Sequence, residues 1–275
     1  MTLDIDPNIG TFGSLAVTWH GLMMSLGIAA AVGFTLYLAR KNDFPEEHII
    51  SPALWAIIAG ILGARASHVI DEWSYYSDYP SDILLFWEGG LGWFGGLVGG
   101  AVGGAIYAKL RHIPVGQVFD LSAPGVMLGL AIGRIGCTIN GDVCGSPTSL
   151  FWGITYSHPS SYPFGWGLAA TSLHPVALYE LIGCLGIFIL LWRLHERLKP
   201  DGSLFFLMIA LYCSVRFFLS WLRAEEMEPA VLGPLHQAHI FCLVLFIGAM
   251  AILIRRKTSW SNNDTALEPD VELDE

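Results

Sequence analysis

Charge is what this chain has least of. Asp, Glu, Lys and Arg make up 14% of its 275 residues, where a soluble domain carries about a quarter. No C-x-x-C occurs, and the five cysteines, Cys137, Cys144, Cys184, Cys213 and Cys242, are scattered. That excludes a disulfide framework and gives no zinc-site spacing, so they read as small apolar residues of helices. The first fourteen residues hold no Lys or Arg and so lack the basic start of a secretory signal peptide. There is no basic cluster of the kind that binds nucleic acid. There is also no internal repeat of the kind that marks many transporters. The formal net charge of −10 implies no basic partner, because Asp264, Glu268, Asp270, Glu272, Asp274 and Glu275 lie in a tail without apolar pattern. Such a tail is expected to be disordered.

What is present is hydrophobic, at 53% of residues and a mean hydropathy of +0.54. The apolar residues come in blocks of roughly twenty, apolar on all faces, which predicts an all-α integral membrane protein. The runs lie near 17–39, 52–70, 83–108, 118–132, 174–193, 204–222 and 235–254, about seven transmembrane helices. The third run contains G-G-L-G-W-F-G-G-L-V-G-G. It spans by close packing or forms a re-entrant loop, which would lower the count to five or six. Trp87, Trp93, Trp152 and Trp166 read as interface anchors.

The cations set the orientation. Arg40, Lys41, Lys109, Arg111, Arg193, Arg197, Lys199, Arg255, Arg256 and Lys257 flank alternate ends of the runs, ten of fourteen basic residues. By the positive-inside rule these ends are cytoplasmic, with the N-terminus outside and the C-terminus inside. The division expected is an extracytoplasmic segment 1–14, a membrane domain 15–257 and an acidic cytoplasmic tail 258–275. The other four cations, Arg65, Arg134, Arg216 and Arg223, are all Arg and all fall toward the outer side. A charge inside a membrane is a functional candidate, and guanidinium forks suit phosphate. Either these arginines pair with carboxylates such as Glu88, Asp142 and Glu180 to hold helices together, or they gather on an anionic lipid head group. His236 and His239 have helix-face spacing, but no third ligand accompanies them. No metal site and no cofactor are expected.

Six stretches now carry a resemblance. They are W-H-G-L-M-M at 19–24, G-A-R-A-S-H at 63–68, E-G-G-L-G-W-F-G-G-L-V-G-G at 88–100, G-R-I-G-C-T-I-N-G-D-V-C-G at 133–145, H-P-V-A-L-Y-E at 174–180 and R-F-F-L-S-W-L-R at 216–223. In order and content they resemble the bacterial prolipoprotein diacylglyceryl transferases. The resemblance implies transfer of a diacylglyceryl group from phosphatidylglycerol to the lipobox Cys of a preprolipoprotein, with glycerol phosphate leaving. It implies a multi-pass protein of the bacterial inner membrane, acting in lipoprotein biosynthesis as a monomer. Arg134 and Arg216 match the essential arginines. Asn140, Asp142 and Gly145 lie in the signature. Arg65, Gly95, Gly96, His174, Tyr179, Glu180 and Arg223 are implied substrate-binding supports.

Five positions depart from the family's residues. Phe94 stands for His, His20 for Tyr, Cys137 for Asn, Ser220 for Glu and Asp142 for Glu. Phe94 cannot move a proton, so His20 is the candidate replacement base for the acceptor thiol. The other expectation is a diverged relative that binds anionic phospholipid without this transfer or uses another acceptor.

Overall fold

A computed structural model describes residues 1–12, 15–85, 89–224, 230–232, 235–256 and 259–260. Trp87, Glu88 and the acidic tail lie outside the described residues, as do the side chains of Trp93 and Phe94. The chain forms α1 (Trp19–Lys41), α2 (Glu47–Asp71), the short α3 (Trp73–Asp78), α4 (Trp93–Leu110), α5 (Val115–Asn140), the one-turn α6 (Tyr162–Gly165), α7 (Val176–Leu194), α8 (Ser203–Ser220) and α9 (Gln237–Arg255). Six of these, α1, α2, α5, α7, α8 and α9, are long and apolar enough to cross a membrane. Leu62, Ile182, Phe218, Val244 and Ile254 stand exposed on their outer faces, as lipid-facing side chains do. This is an all-α, multi-pass membrane protein.

The Gly-rich run forms α4, one continuous helix of 18 residues, about 27 Å long. It starts later than its hydropathy predicts. Pro80–Leu84 is a 3-10 turn, and Gly89 and Gly90 take positive φ values of 105° and 69°. The fourth run, in contrast, outlasts its prediction, because α5 continues through Arg134 to Asn140. The signature stretch is therefore helical as far as Asn140. What ends it is Gly141, in the left-handed conformation at φ 77°, which favours glycine.

Helices pair through small residues. α1 crosses α5 where a Cβ on Gly27 would sit 2.5 Å from the Gly129 carbonyl oxygen. α2 and α4 approach through Gly60, Gly63, Gly96 and Gly99 in the same way. Close backbone approach is how membrane helices gain dispersion contact without a hydrophobic force between them. α5, α7 and α8 then enclose an apolar core of Met127, Ala131, Cys184, Leu191, Leu204 and Met208. All five cysteines are buried, and none is in a disulfide among the described residues.

The two ends of the bundle differ in charge. One end ties the last turn of α1 to its neighbours by ion pairs, Arg40 to Glu46 at 2.7 Å and Lys41 to Glu196 at 2.9 Å. The opposite end gathers the starts of α1 and α7 with the ends of α5 and α8. A small sheet covers it, in which β1 (Thr2–Leu3) runs parallel to β4 (Ile154–Tyr156), and β4 pairs with β5 (Ser172–Leu173). The hairpin of β2 (Asn8–Phe12) and β3 (Leu15–Thr18) leads into α1. The N-terminal segment is thus ordered structure over the bundle.

The packing gives a direct test. Gly27→Leu should lose about 2 kcal/mol by overpacking, read as a fall in thermal unfolding temperature in detergent micelles. Gly33→Leu, on the same helix with nothing within 4 Å of its Cβ position, should leave that temperature unchanged.

Candidate functional site

The site is built on the last two turns of α5. Arg134, Cys137 and Asn140 lie on them, and Gly141 closes the helix by donating its N–H to the Cys137 carbonyl at 2.9 Å. The left-handed turn folds Asp142 back over the helix end. Its Oδ2 accepts from Asn140 Nδ2 at 3.1 Å and lies 3.1 Å from His20 Nδ1. His20 reaches it from the first turn of α1, because Gly136 has no side chain. A Cβ there would stand 2.8 Å from the His20 Cα. The His20 Nδ1 is also 3.7 Å from Cys137 Sγ. Tyr156 fixes the helix end from above, donating its hydroxyl to the Thr138 carbonyl at 2.8 Å. Burial pushes the Tyr156 pKa up, so the hydroxyl remains a neutral donor.

One turn deeper, Arg134 joins this trio to a buried carboxylate. Its Nη1 is 3.6 Å from Cys137 Sγ and its Nη2 donates to Glu180 Oε1 at 2.6 Å. Glu180, on α7, has a side chain with 0% exposure. Its Oε1 also accepts from the Tyr212 hydroxyl at 2.8 Å, and its Oε2 lies 3.3 Å from Arg223 Nη2. Arg216 is the third guanidinium within electrostatic reach of Glu180. It donates to Ser220 Oγ at 2.6 Å, so a hydroxyl serves it where the family has a carboxylate. Burial of a charge demands such partners.

Gly145 makes this convergence possible. It forms a bridge to Arg223, and its N–H donates to the His174 carbonyl at 2.8 Å. Ser146 N–H donates to the Leu222 carbonyl at 2.9 Å. A Cβ at Gly145 would lie 2.5 Å from both His174 Cβ and Leu222 O, so any side chain would push α8's exit away from α7. His174 Nδ1 is 3.4 Å from the Tyr179 hydroxyl, which accepts from the Trp152 indole at 2.6 Å.

Of the four arginines singled out by sequence, Arg134, Arg216 and Arg223 meet around Glu180. Arg65 does something else. Its guanidinium donates to the carbonyls of Ile83 at 3.0 Å, Gly89 at 2.8 Å and Gly90 at 3.0 Å, and to that of Asp82. It lies over the Tyr76 ring and holds the loop that enters α4. Gly95 and Gly96 belong to the seam of α4 with α2. Gly95 also lines a cavity of about 410 Å³ with Ser67, Ile70, Asp71, Val98 and Phe241. His236 and His239 cap α9, the His236 N–H donating to His239 Nδ1 at 3.1 Å. Tyr212 was not foreseen from sequence. The available signal was the i, i+4 stripe Tyr212, Arg216 and Ser220, polar positions on one face of an otherwise apolar helix.

The buried cluster predicts a stability effect. Glu180→Gln should destabilise the protein by about 3 kcal/mol, because the arginines keep their charge and lose the carboxylate. Tyr212→Phe removes one hydrogen bond and should lose about 1 kcal/mol. Thermal unfolding of the purified variants would separate the two.

Residues 7–255 match the family model described as prolipoprotein diacylglyceryl transferase. A phosphatidylglycerol–prolipoprotein diacylglyceryl transferase of Dehalococcoides mccartyi is 34% identical over 264 residues, 95% of this chain and 98% of that protein. Proteins of the same name from Trichormus variabilis and Lactobacillus acidophilus are similar at 33% and 30% identity. They cover 91% and 93% of this chain and 90% and 91% of their own lengths. The chain belongs to the prolipoprotein diacylglyceryl transferase family.

Proposed function

We propose that this protein transfers the diacylglyceryl group of phosphatidylglycerol to the thiol of a preprolipoprotein's lipobox Cys. The observation that carries this reading is the convergence of Arg134, Arg216 and Arg223 on one buried carboxylate, with His20, Cys137 and Asp142 beside them. Each guanidinium presents its N–H donors in a planar fork, and Glu180 fixes the forks in place. Glycerol phosphate is the leaving group. The thiolate sulfur forms a bond to the glyceryl carbon that bears the phosphoester, and the carbon–oxygen bond breaks. The electron pair departs on the phosphate oxygen. Arginines already in place stabilise that growing charge without reorganisation. His20, held by Asp142, stands where the acceptor thiol gives up its proton, and Asn140 orients Asp142.

The remaining residues take supporting roles in this reading. Gly145 positions Arg223, while His174 and Tyr179 wall the head-group side. Arg65 sets the loop above α4. Gly95 and Gly96 keep α4 against α2, beside a cavity whose Ile70, Val98 and Phe241 suit an acyl chain. The positive-inside count supports seven spans in the bacterial inner membrane, with segment 1–14 outside, the domain 15–257 and the tail 258–275 inside. A single copy holds all the residues invoked, in keeping with a monomer.

The test is purified protein in phosphatidylglycerol micelles with a lipobox peptide, followed by mass spectrometry. A diacylglyceryl mass on the peptide's Cys is expected. Arg134→Ala should lower turnover by on the order of 100-fold or more, and Arg134→Lys should not restore it, because an ammonium lacks the planar fork. An unmodified peptide beside protein that still holds phosphatidylglycerol would identify a lipid-binding relative without this transfer.

A further inference from the structure

Three of the five departures from the family's residues fall on one point. His20, Cys137 and Asp142 replace the family's Tyr, Asn and Glu, and the fold brings His20 Nδ1, Cys137 Sγ and an Asp142 oxygen within 4.8 Å of one another. His20 comes from α1, 117 residues before Cys137, and Asp142 from the turn that follows α5. The expectation of no metal rested on the cysteine spacing and on His236 and His239 lacking a third ligand; those two histidines serve as a helix cap instead.

Two of the three donor separations are those of a tetrahedral zinc site, and the third, Asp142 oxygen to Cys137 Sγ, is within 4.8 Å. Around four-coordinate zinc, N and O donors sit about 3.3 Å apart and N and S donors about 3.6 Å apart, from bond lengths near 2.0–2.1 Å and 2.3 Å. Here Nδ1 to Oδ2 is 3.1 Å and Nδ1 to Sγ is 3.7 Å. A second observation points the same way. Asp142 Oδ1 is buried with no hydrogen-bond partner among the described residues. The outer partners of such a site are also in place, since the Asn140 amide donates to Asp142 and Arg134 lies 3.6 Å from Cys137 Sγ. Ligands held from behind in this way orient a metal and tune it.

We propose that His20, Cys137 and Asp142 bind one zinc ion, whose fourth position takes the acceptor Cys as thiolate. Three protein ligands with one open position is the pattern of catalytic zinc. A thiol that coordinates zinc is deprotonated outright. With the ion bound, His20 serves as a ligand in place of the base named above: the incoming thiol displaces a zinc-bound water and its proton leaves with the solvent. The sulfur then bonds to the glyceryl carbon as the carbon–oxygen bond to phosphate breaks, and water returns to the zinc. Charge is in balance: one thiolate and one carboxylate neutralise the ion, and the acceptor thiolate adds a negative charge beside Arg134. The same ion accounts for Phe94, which leaves the chain without the family's proton-accepting His. The role of the fourth ligand rests on the transfer reading above, whereas the metal site itself does not.

Cobalt(II) is the probe, titrated into the purified full chain in detergent micelles. One equivalent should bind with visible tetrahedral bands and a thiolate-to-cobalt charge-transfer band. Cys137→Asn carries the family's own residue and is expected to fold. It should lose the charge-transfer band and weaken binding on the order of 100-fold, as should His20→Tyr without loss of thermal stability. A Cys lipobox peptide should strengthen the charge-transfer band, and its Ser analogue should not. The site is overturned if the wild-type protein gives no thiolate band or if the band survives Cys137→Asn. The acceptor role is overturned if the Cys peptide leaves the band unchanged, or if transfer proceeds equally after chelation. Cobalt binding with the peptide effect, but no transfer from phosphatidylglycerol, upholds the metal site and counts against the transfer reading.

Discussion

A carboxylate without exposed surface in a membrane helix must be charge-compensated where it sits, and the rest of this site follows from how that is done. Glu180 takes Arg134 from α5 and Arg223 from the exit of α8 on its two oxygens, with Tyr212 on the first. Three helices are thereby tied at one depth by groups that cannot leave without stranding a charge. The arginines are in consequence immobilised before any substrate arrives. A carboxylate that at first reads as a competitor for phosphate is better understood as the frame that aims the donors. Pairing with a carboxylate and preparation for an anion were alternatives at the level of sequence; the geometry shows the pairing, and the proposed transfer adds the second role to the same cluster.

Much of the fold was legible because it rests on composition. Long apolar runs forecast the helices, and alternating cations forecast which helix ends lie together. Where the reading slipped, a local conformational effect outweighed hydropathy. Arg134 and Thr138 lower the hydropathy of the stretch after Ile132, yet neither breaks a helix, and only the left-handed Gly141 does so. The run before α4 is apolar enough to extend the helix, but Gly89 and Gly90 turn the chain there. The arginines were legible as a set, since four unexplained charges in apolar runs invite a common explanation. Arg65 nevertheless parted from the others. Nothing in its neighbours announces that its partners are the backbone carbonyls of a loop about twenty residues ahead.

What sequence could not supply was the meeting of His20 with Cys137 and Asp142. Each is unremarkable by itself: a His near a helix start, a Cys in an apolar helix and an Asp where an acid is usual. Their common position depends on a local turn at Gly141 and on the crossing of α1 over α5 at Gly136, and the second is a tertiary feature. Departures from a family pattern are usually read one at a time, as losses. Here they are adjacent in space, and substitutions that cluster around one point describe an altered chemistry better than a decayed one.

Arg134 and Cys137 are three residues apart on the same helix, a rise of about 4.5 Å. In the proposed reaction, the group for the phosphate and the group for the sulfur are therefore mounted on one rigid rod. Bending of the bundle, exchange of lipid or sliding of α8 carries both together. The separation between the two halves of the reaction is set by helix geometry itself, which functions as a ruler that no loop movement can recalibrate.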